Sequence, residues 1–227
     1  MKDGRATATP WSGTETVIWD FNGTLIDDVD LVVQTMNGQL VRRGLAPVTV
    51  SQYRDAFGFP VEDYYRRMGM TFDQESMAEF SAEFFAGYES QLAACPIYEG
   101  LSNAQARLAK AGLRQFVLSA MEERMLREAL EALGIMDRFV AAYGLEHQEA
   151  DSKVSRGRDL LADFDIRPET ALLVGDTAHD ADVAKSLGLA CALVARGHQS
   201  RARLEETRHP VYDDVEELMN ALDLSPG

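Results

Sequence analysis

The chain has 227 residues, 46% of them hydrophobic and 26% charged, which excludes intrinsic disorder and supplies a core that needs neither disulfide nor metal to fold. The formal net charge of −15 excludes nucleic acid and anionic membranes as partners, because binding them rests on Lys and Arg. It leaves open a small phosphorylated substrate, since one divalent cation and a few local positive groups reverse the field inside a pocket.

The first 14 residues are polar and read as a loose arm. No stretch has the apolar core of a secretion signal or the ~18 apolar residues of a membrane span. A soluble, cytoplasmic protein, monomer or homodimer, is expected. The run Thr16-Val17-Ile18-Trp19 is continuously apolar, as in a strand buried on both faces. Asn22-Gly23 marks a turn at its end. Helices are then predicted over 28–44, 50–56, 61–68 and 73–92, with no strand among them. In the last, Met77, Phe80, Phe84, Tyr88 and Leu92 form one stripe, read as core packing.

After Pro96 the pattern alternates. Strands are predicted at 115–118, 139–143, 171–175, 190–194 and near Val211, and helices at 100–111, 121–133, 153–163, 179–187, 200–207 and 214–222. Such alternation means a parallel sheet covered on both faces. The expected fold is α/β, a Rossmann-like core of residues 15–26 and 97–227 with a helical cap, 27–96, inserted after the first strand. Cys95 and Cys191 read as buried thiols, not a metal site.

Ligands of an open parallel sheet bind beyond the carboxyl ends of its strands. The residues there are Asp20, Asn22 and Thr24, then Ser119 and Ala120, then Asp176, Thr177, His179 and Asp180, then Arg196 and His198; Lys153 opens a helix nearby. Asp20 and Asp176 describe a site for a hard cation, most simply Mg²⁺. Asp180 is open between that site and a helix cap, and Ser119 between anion binding and an ordinary cap. Lys153 alone reads equally as a solvated face residue.

Taken together, DFNGT at 20–24, LSA at 118–120, Lys153 and GDTAHD at 175–180 resemble the four motifs of the haloacid dehalogenase superfamily. Their order and the helical insert are similar to its phosphoglycolate-phosphatase-like branch. The resemblance implies a Mg²⁺-dependent phosphatase for small phosphorylated substrates. It assigns Asp20 as the nucleophile that forms an aspartyl-phosphate. Ser119, Ala120 and Lys153 match the phosphate-holding positions. Asp20, the backbone carbonyl of Asn22, Asp176 and Asp180 match the metal site, and Asp180 also matches a partner for Lys153. Thr24 matches a residue that orders the nucleophile loop.

One position departs from the pattern. The residue two after the nucleophile is normally an Asp that protonates the leaving oxygen and then activates water; here it is Asn22. An amide neither gives nor takes a proton at neutral pH, and lost acid–base help is typically ~10²–10⁴-fold in rate. Four readings are open: a substrate with a good leaving group, a substitute acid (His198 or His179), a slow or non-catalytic phosphate binder, and an engineered or deamidating Asn22. Phosphotransfer is a further alternative. In the cap, Phe59, Tyr64 and Arg66 are candidates for substrate choice, with Arg66 suited to a second anionic group; packed aromatics and solvated arginines are the other reading.

Overall fold

The computed structural model describes Trp11 and residues 13–73, 76–146 and 152–222. Most of the polar arm expected over 1–14 lies outside these residues. The first strand, β1 (Thr16–Trp19), is buried along its whole length. Alternate residues face opposite ways: Val17 and Trp19 join one hydrophobic cluster and Ile18 the other. This is the pleat of a strand covered on both faces.

Four helices follow: α1 (Val29–Arg42), α2 (Val50–Ala56), α3 (Val61–Arg67) and α4 (Met77–Leu92). They carry a cluster of their own around Met36, Leu40, Tyr53, Tyr64 and Phe80. The predicted start of α4 at 73 is four residues early. Ser76 accepts from the Glu79 N–H while the Glu79 carboxylate accepts from the Ser76 N–H, and this reciprocal cap fixes the first turn. The chain leaves β1 and returns from α4 at adjacent points, where Ile26 bridges Ile97 and the Asp27 N–H donates to the Pro96 carbonyl at 2.9 Å.

The rest alternates: α5 (Leu101–Lys110), β2 (Arg114–Glu122), α6 (Glu123–Ala132), β3 (Ala141–Leu145), α7 (Lys153–Asp163), β4 (Ala171–Gly175), α8 (Ala178–Leu187), β5 (Ala190–Val194), α9 (Arg201–Glu205), β6 (Val211–Tyr212) and α10 (Val215–Ala221). The strands form one six-stranded sheet in the order β3-β2-β1-β4-β5-β6, with every pair parallel. The expected α/β class and parallel sheet are borne out. Several boundaries differ. β2 runs past Leu118 to Glu122, with an irregular register between them, and α6 starts later because the Glu122 carboxylate caps Arg124 and Met125. β3 begins at Ala141, two residues late, after a single turn of 3₁₀ helix at Met136–Arg138.

The sheet order decides where chemistry sits. From β1 the chain proceeds to β2 and β3 on one side, and β4, β5 and β6 lie on the other. Ligands of such sheets bind at this switch point. Trp19 pairs with Val174, so the next residues of the two strands bring Asp20 and Asp176 to the same sheet end.

Candidate active site

Asp20, Asp176 and Asp180 are all buried, and one carboxylate oxygen from each lies within 4.8 Å of the others. Lys153, the first residue of α7, donates to Asp20 and, at 2.6 Å, to Asp180. Three carboxylates thus face one ammonium. Burial, opposed by Lys153 but reinforced by Asp180 and Asp176, pushes the Asp20 carboxyl up to about 8. Burial likewise lifts Asp176 to about 6 in spite of His198. Burial acts to raise Asp180 as well, but Lys153 and the Thr177 hydroxyl hold it below the ordinary carboxylate range.

Local structure explains this division. Asp180 lies in the first turn of α8, where its Oδ2 accepts from the Thr177 hydroxyl at 2.6 Å and from the N–H groups of Thr177 and Asp176 at 3.0 and 3.2 Å. It caps the helix with one oxygen and holds Lys153 with the other, so the cap reading and the Lys153 partnership both describe it. Asp176 accepts from the Thr24 hydroxyl at 3.0 Å and the His198 N–H at 2.6 Å. The backbone comes this close only because Gly197 and Gly23 lack side chains: a Cβ on either would overlap the Asp176 carboxylate. Gly23 also has φ +71°, a left-handed conformation that favours glycine.

Ser119 and Ala120 line the same cavity as Asp20 and Lys153. Ser119 does not stand at a helix start as expected. It lies in the irregular end of β2, and its Oγ accepts from the Met121 N–H at 3.1 Å. His179 also lines the cavity and stacks on Phe59, ring centres 4.5 Å apart. Burial, helped by Lys153, lowers its pKa.

Asn22 lines the cavity, and its side chain is held by residues of the helical segment. Its Nδ2 donates to the Tyr88 hydroxyl at 2.6 Å and to Asp28 Oδ2 at 3.0 Å. Sequence reasoning missed Asp28. It occupies the N-cap position of α1 but makes no cap bond. Its fully buried carboxylate instead accepts from the Gly23 N–H at 2.9 Å and the Tyr88 hydroxyl at 2.6 Å, and contacts His198 Nε2 at 3.2 Å. The only sequence signal is an acid just ahead of an apolar helix, which reads as an ordinary cap. Tyr88, taken as part of a packing stripe, buries its ring and brings its hydroxyl to this group.

His198 is buried, and both its ring nitrogens are engaged: Nδ1 with the Tyr53 hydroxyl at 2.9 Å, Nε2 with Asp28. Burial opposes its charge, yet Asp28, with Asp176 and Asp20 beyond, lifts its pKa to about 9. Burial likewise opposes the charge on Asp28, but His198, Tyr88 and Asn22 hold it below the ordinary carboxylate range. The stabilisation from this raised histidine is complete below its ordinary value of 6.5 and is lost as pH rises through about 9. Breaking a buried ion pair costs about 3–5 kcal/mol. His198→Gln is therefore expected to lower stability by about that much near neutrality, with the gap to wild type closing above pH ~9. Urea melts across pH check this; a gap that does not change with pH refutes it.

Of the cap candidates, Phe59 and Tyr64 line the cavity. Arg66 does not. Its guanidinium pairs with Glu62 at 2.6 Å, lies over the Phe72 ring and is half exposed. Within the short α3, the buried side carries Tyr64 and Tyr65, so the next residue on the helix faces outward.

Residues 17–194 match the family model described as haloacid dehalogenase-like hydrolase. The chain is 28% identical over 224 residues to the tyrosine-protein kinase PtkA of Mycobacterium tuberculosis (strain ATCC 25618 / H37Rv), covering 96% of this chain and 76% of that protein. The solved structure of PtkA from M. tuberculosis has a TM-score of 0.78, covering 93% of this chain and 99% of that one. A phosphoglycolate phosphatase of Cereibacter sphaeroides is 26% identical over 214 residues, covering 91% and 96%. A haloacid dehalogenase-like hydrolase from Streptococcus pneumoniae shares the fold, with TM-score 0.80 at 18% identity over 92% of this chain and 98% of that one.

Proposed function

Because the chain belongs to the haloacid dehalogenase-like hydrolase family, we propose that it is a Mg²⁺-dependent phosphatase that acts on small phosphorylated metabolites through an aspartyl-phosphate on Asp20. The observation that carries this is the meeting of Asp20 and Asp176 at adjacent strand ends, with Lys153 between Asp20 and Asp180.

The residues fit a divalent cation. Three buried carboxylates against one ammonium leave an excess of negative charge, which burial expresses as the raised Asp20 and Asp176. All offered ligand atoms are hard oxygens, the donor set of Mg²⁺. Asp20, Asp176 and the Asn22 carbonyl would hold the ion, with Asp180 behind them. When bound, it offsets the charge on the carboxylates and on the phosphoryl oxygens.

In the proposed reaction a carboxylate oxygen of Asp20 attacks phosphorus, the P–O bond to the leaving group breaks, and the leaving oxygen takes the electron pair. Lys153 and Ser119 steady the phosphoryl oxygens, and Asp180 keeps Lys153 in place. Water then attacks the same phosphorus, releasing phosphate and restoring Asp20.

The raised carboxylates supply a test. Their charged forms are penalised by folding, so metal-free stability falls as pH rises from the ordinary 3.8 through about 6 and about 8. Mg²⁺ is expected to stabilise the protein more at pH ~8 than at pH ~5, reaching about 3 kcal/mol at a ~100-fold excess over Kd, as read from melts. In parallel, phosphate release from acetyl phosphate is expected with Mg²⁺ and not with a chelator. Absence of both effects overturns the proposal.

One observation favours a second reading, a catalytically weak phosphate-binding protein. Asn22 cannot activate water, which lengthens the life of the aspartyl-phosphate and slows turnover. A phosphoryl adduct that accumulates on the peptide carrying Asp20 without phosphate release would favour this reading.

A further inference from the structure

The site opens into a cavity of about 290 Å³ that continues from Asp20 into the helical segment. Its inner walls are apolar: Val32 from α1, Phe57 after α2, Val61 from α3, and Phe80, Phe84 and Phe85 from α4. The rings already meet edge to face, as Phe84 and Phe85 do at 5.6 Å and 85°. That arrangement offers both faces and edges to another ring.

Charge in this cavity is one-sided. Among the described residues, Lys153 is the one lysine or arginine on its lining, and it is committed to Asp20 and Asp180. Nearby arginines turn elsewhere: Arg54 donates to the Gly197 and Arg196 carbonyls, Arg203 to the Phe57 carbonyl, and Arg67 to the Ala56 carbonyl. Of the two histidines on the lining, His198 is held by Asp28, itself an acid there, and His179 packs against Phe59. A second anionic group on a substrate would enter beside Asp28, where the cations on the lining are already paired, and burying an unpaired carboxylate is costly.

Chemistry at the bond points the same way. The Asn22 amide is fixed by Asp28 and Tyr88 and has no proton to give at neutral pH. With His198 committed at both ring nitrogens to Tyr53 and Asp28 and His179 packed against Phe59, the leaving oxygen must be stable as an anion. A phenolate meets this condition, its conjugate acid titrating near ~10 as in tyrosine; an alkoxide does not.

Resting on the phosphatase reading above, we propose that the substrate class is small aryl phosphates with an uncharged aromatic body, the ring seated among Phe57, Phe80 and Phe84. The cavity lies at the small end of ligand pockets, ~300–1,000 Å³, which suits one substituted ring.

The test compares four compounds with Mg²⁺: the esters phenyl, 4-carboxyphenyl and cyclohexyl phosphate, and the anhydride acetyl phosphate. Phenyl phosphate is expected to exceed 4-carboxyphenyl phosphate in kcat/KM by about 10²-fold, and cyclohexyl phosphate by about 10²–10⁴-fold. Ser81 is a partly buried residue on the lining. Ser81→Arg is expected to narrow the first ratio at least ~10-fold by giving the carboxylate a partner. If acetyl phosphate is hydrolysed while the charged ester matches or beats phenyl phosphate, the substrate class is wrong and the phosphatase reading stands. If none of the four is hydrolysed, the phosphatase reading fails, and calorimetry with phenylphosphonate and phosphonoacetate judges the cavity alone. Phenylphosphonate binding at least ~10-fold tighter supports an aromatic ligand; equal or weaker binding removes it.

Discussion

Asn22→Asp is expected to raise the turnover of alkyl phosphates by about 10²–10⁴-fold, the usual worth of a positioned general acid, and to change acetyl phosphate turnover far less. The same substitution is expected to destabilise the protein. The Asn22 Nδ2 lies 3.0 Å from Asp28 Oδ2 and 2.6 Å from the Tyr88 oxygen. A carboxylate there would face Asp28 across the distance of a hydrogen bond, and Tyr88 has one proton for two acceptors. Two carboxylates so close do not both ionise, so the introduced group has a raised pKa. That shift helps it act as an acid and makes the variant less stable as pH rises. Parallel kinetics on alkyl and acetyl phosphate with melts across pH check this. Unchanged alkyl turnover in a folded variant would show that the missing proton does not limit the enzyme.

Asp20→Asn is expected to abolish phosphate release, by at least ~10⁴-fold, since no other group takes over a removed nucleophile. Its effect on stability has the opposite sign. Asp20 carries a carboxyl that burial pushes up to about 8, with Asp180 and Asp176 adding to the penalty. Removing this charge relieves a cost present at neutral pH, so the metal-free variant is expected to melt higher than wild type. A site arranged for reaction carries such strain, and stability rises when it is removed. The pairing of Lys153 with Asp180 at 2.6 Å remains. Residual hydrolysis within ~10-fold of wild type would exclude Asp20 as the nucleophile.

Much of the fold was legible because strong local signals agreed. The residues of β1 are an uncharged β-branched and aromatic run, and β4, β5 and α7 begin and end where the pattern places them. The starts of α4 and α6 were read early because a side-chain cap, not the apolar period, sets the first turn. Asp20, Ser119, Lys153 and Asp176 were found at strand ends and helix starts because a parallel sheet gathers those points at one edge, and the structure lines one cavity with all four.

By itself the sequence determined the class, the strand ends and the loss of the proton donor at position 22, all properties of residues close in the chain. Tertiary structure alone decided what surrounds that loss. Asp28 opens α1, Tyr53 belongs to α2, Tyr88 to α4 and His198 to the loop after β5. Their contacts span 60 to 170 residues of sequence. No local period encodes such a meeting. It follows from docking the helices on the sheet, and burial then forces each polar group to find its partner. The same docking turns Arg66 to solvent and leaves an aromatic cavity without a free cation, because seven residues of α3 are too few for the pattern to fix which side faces in.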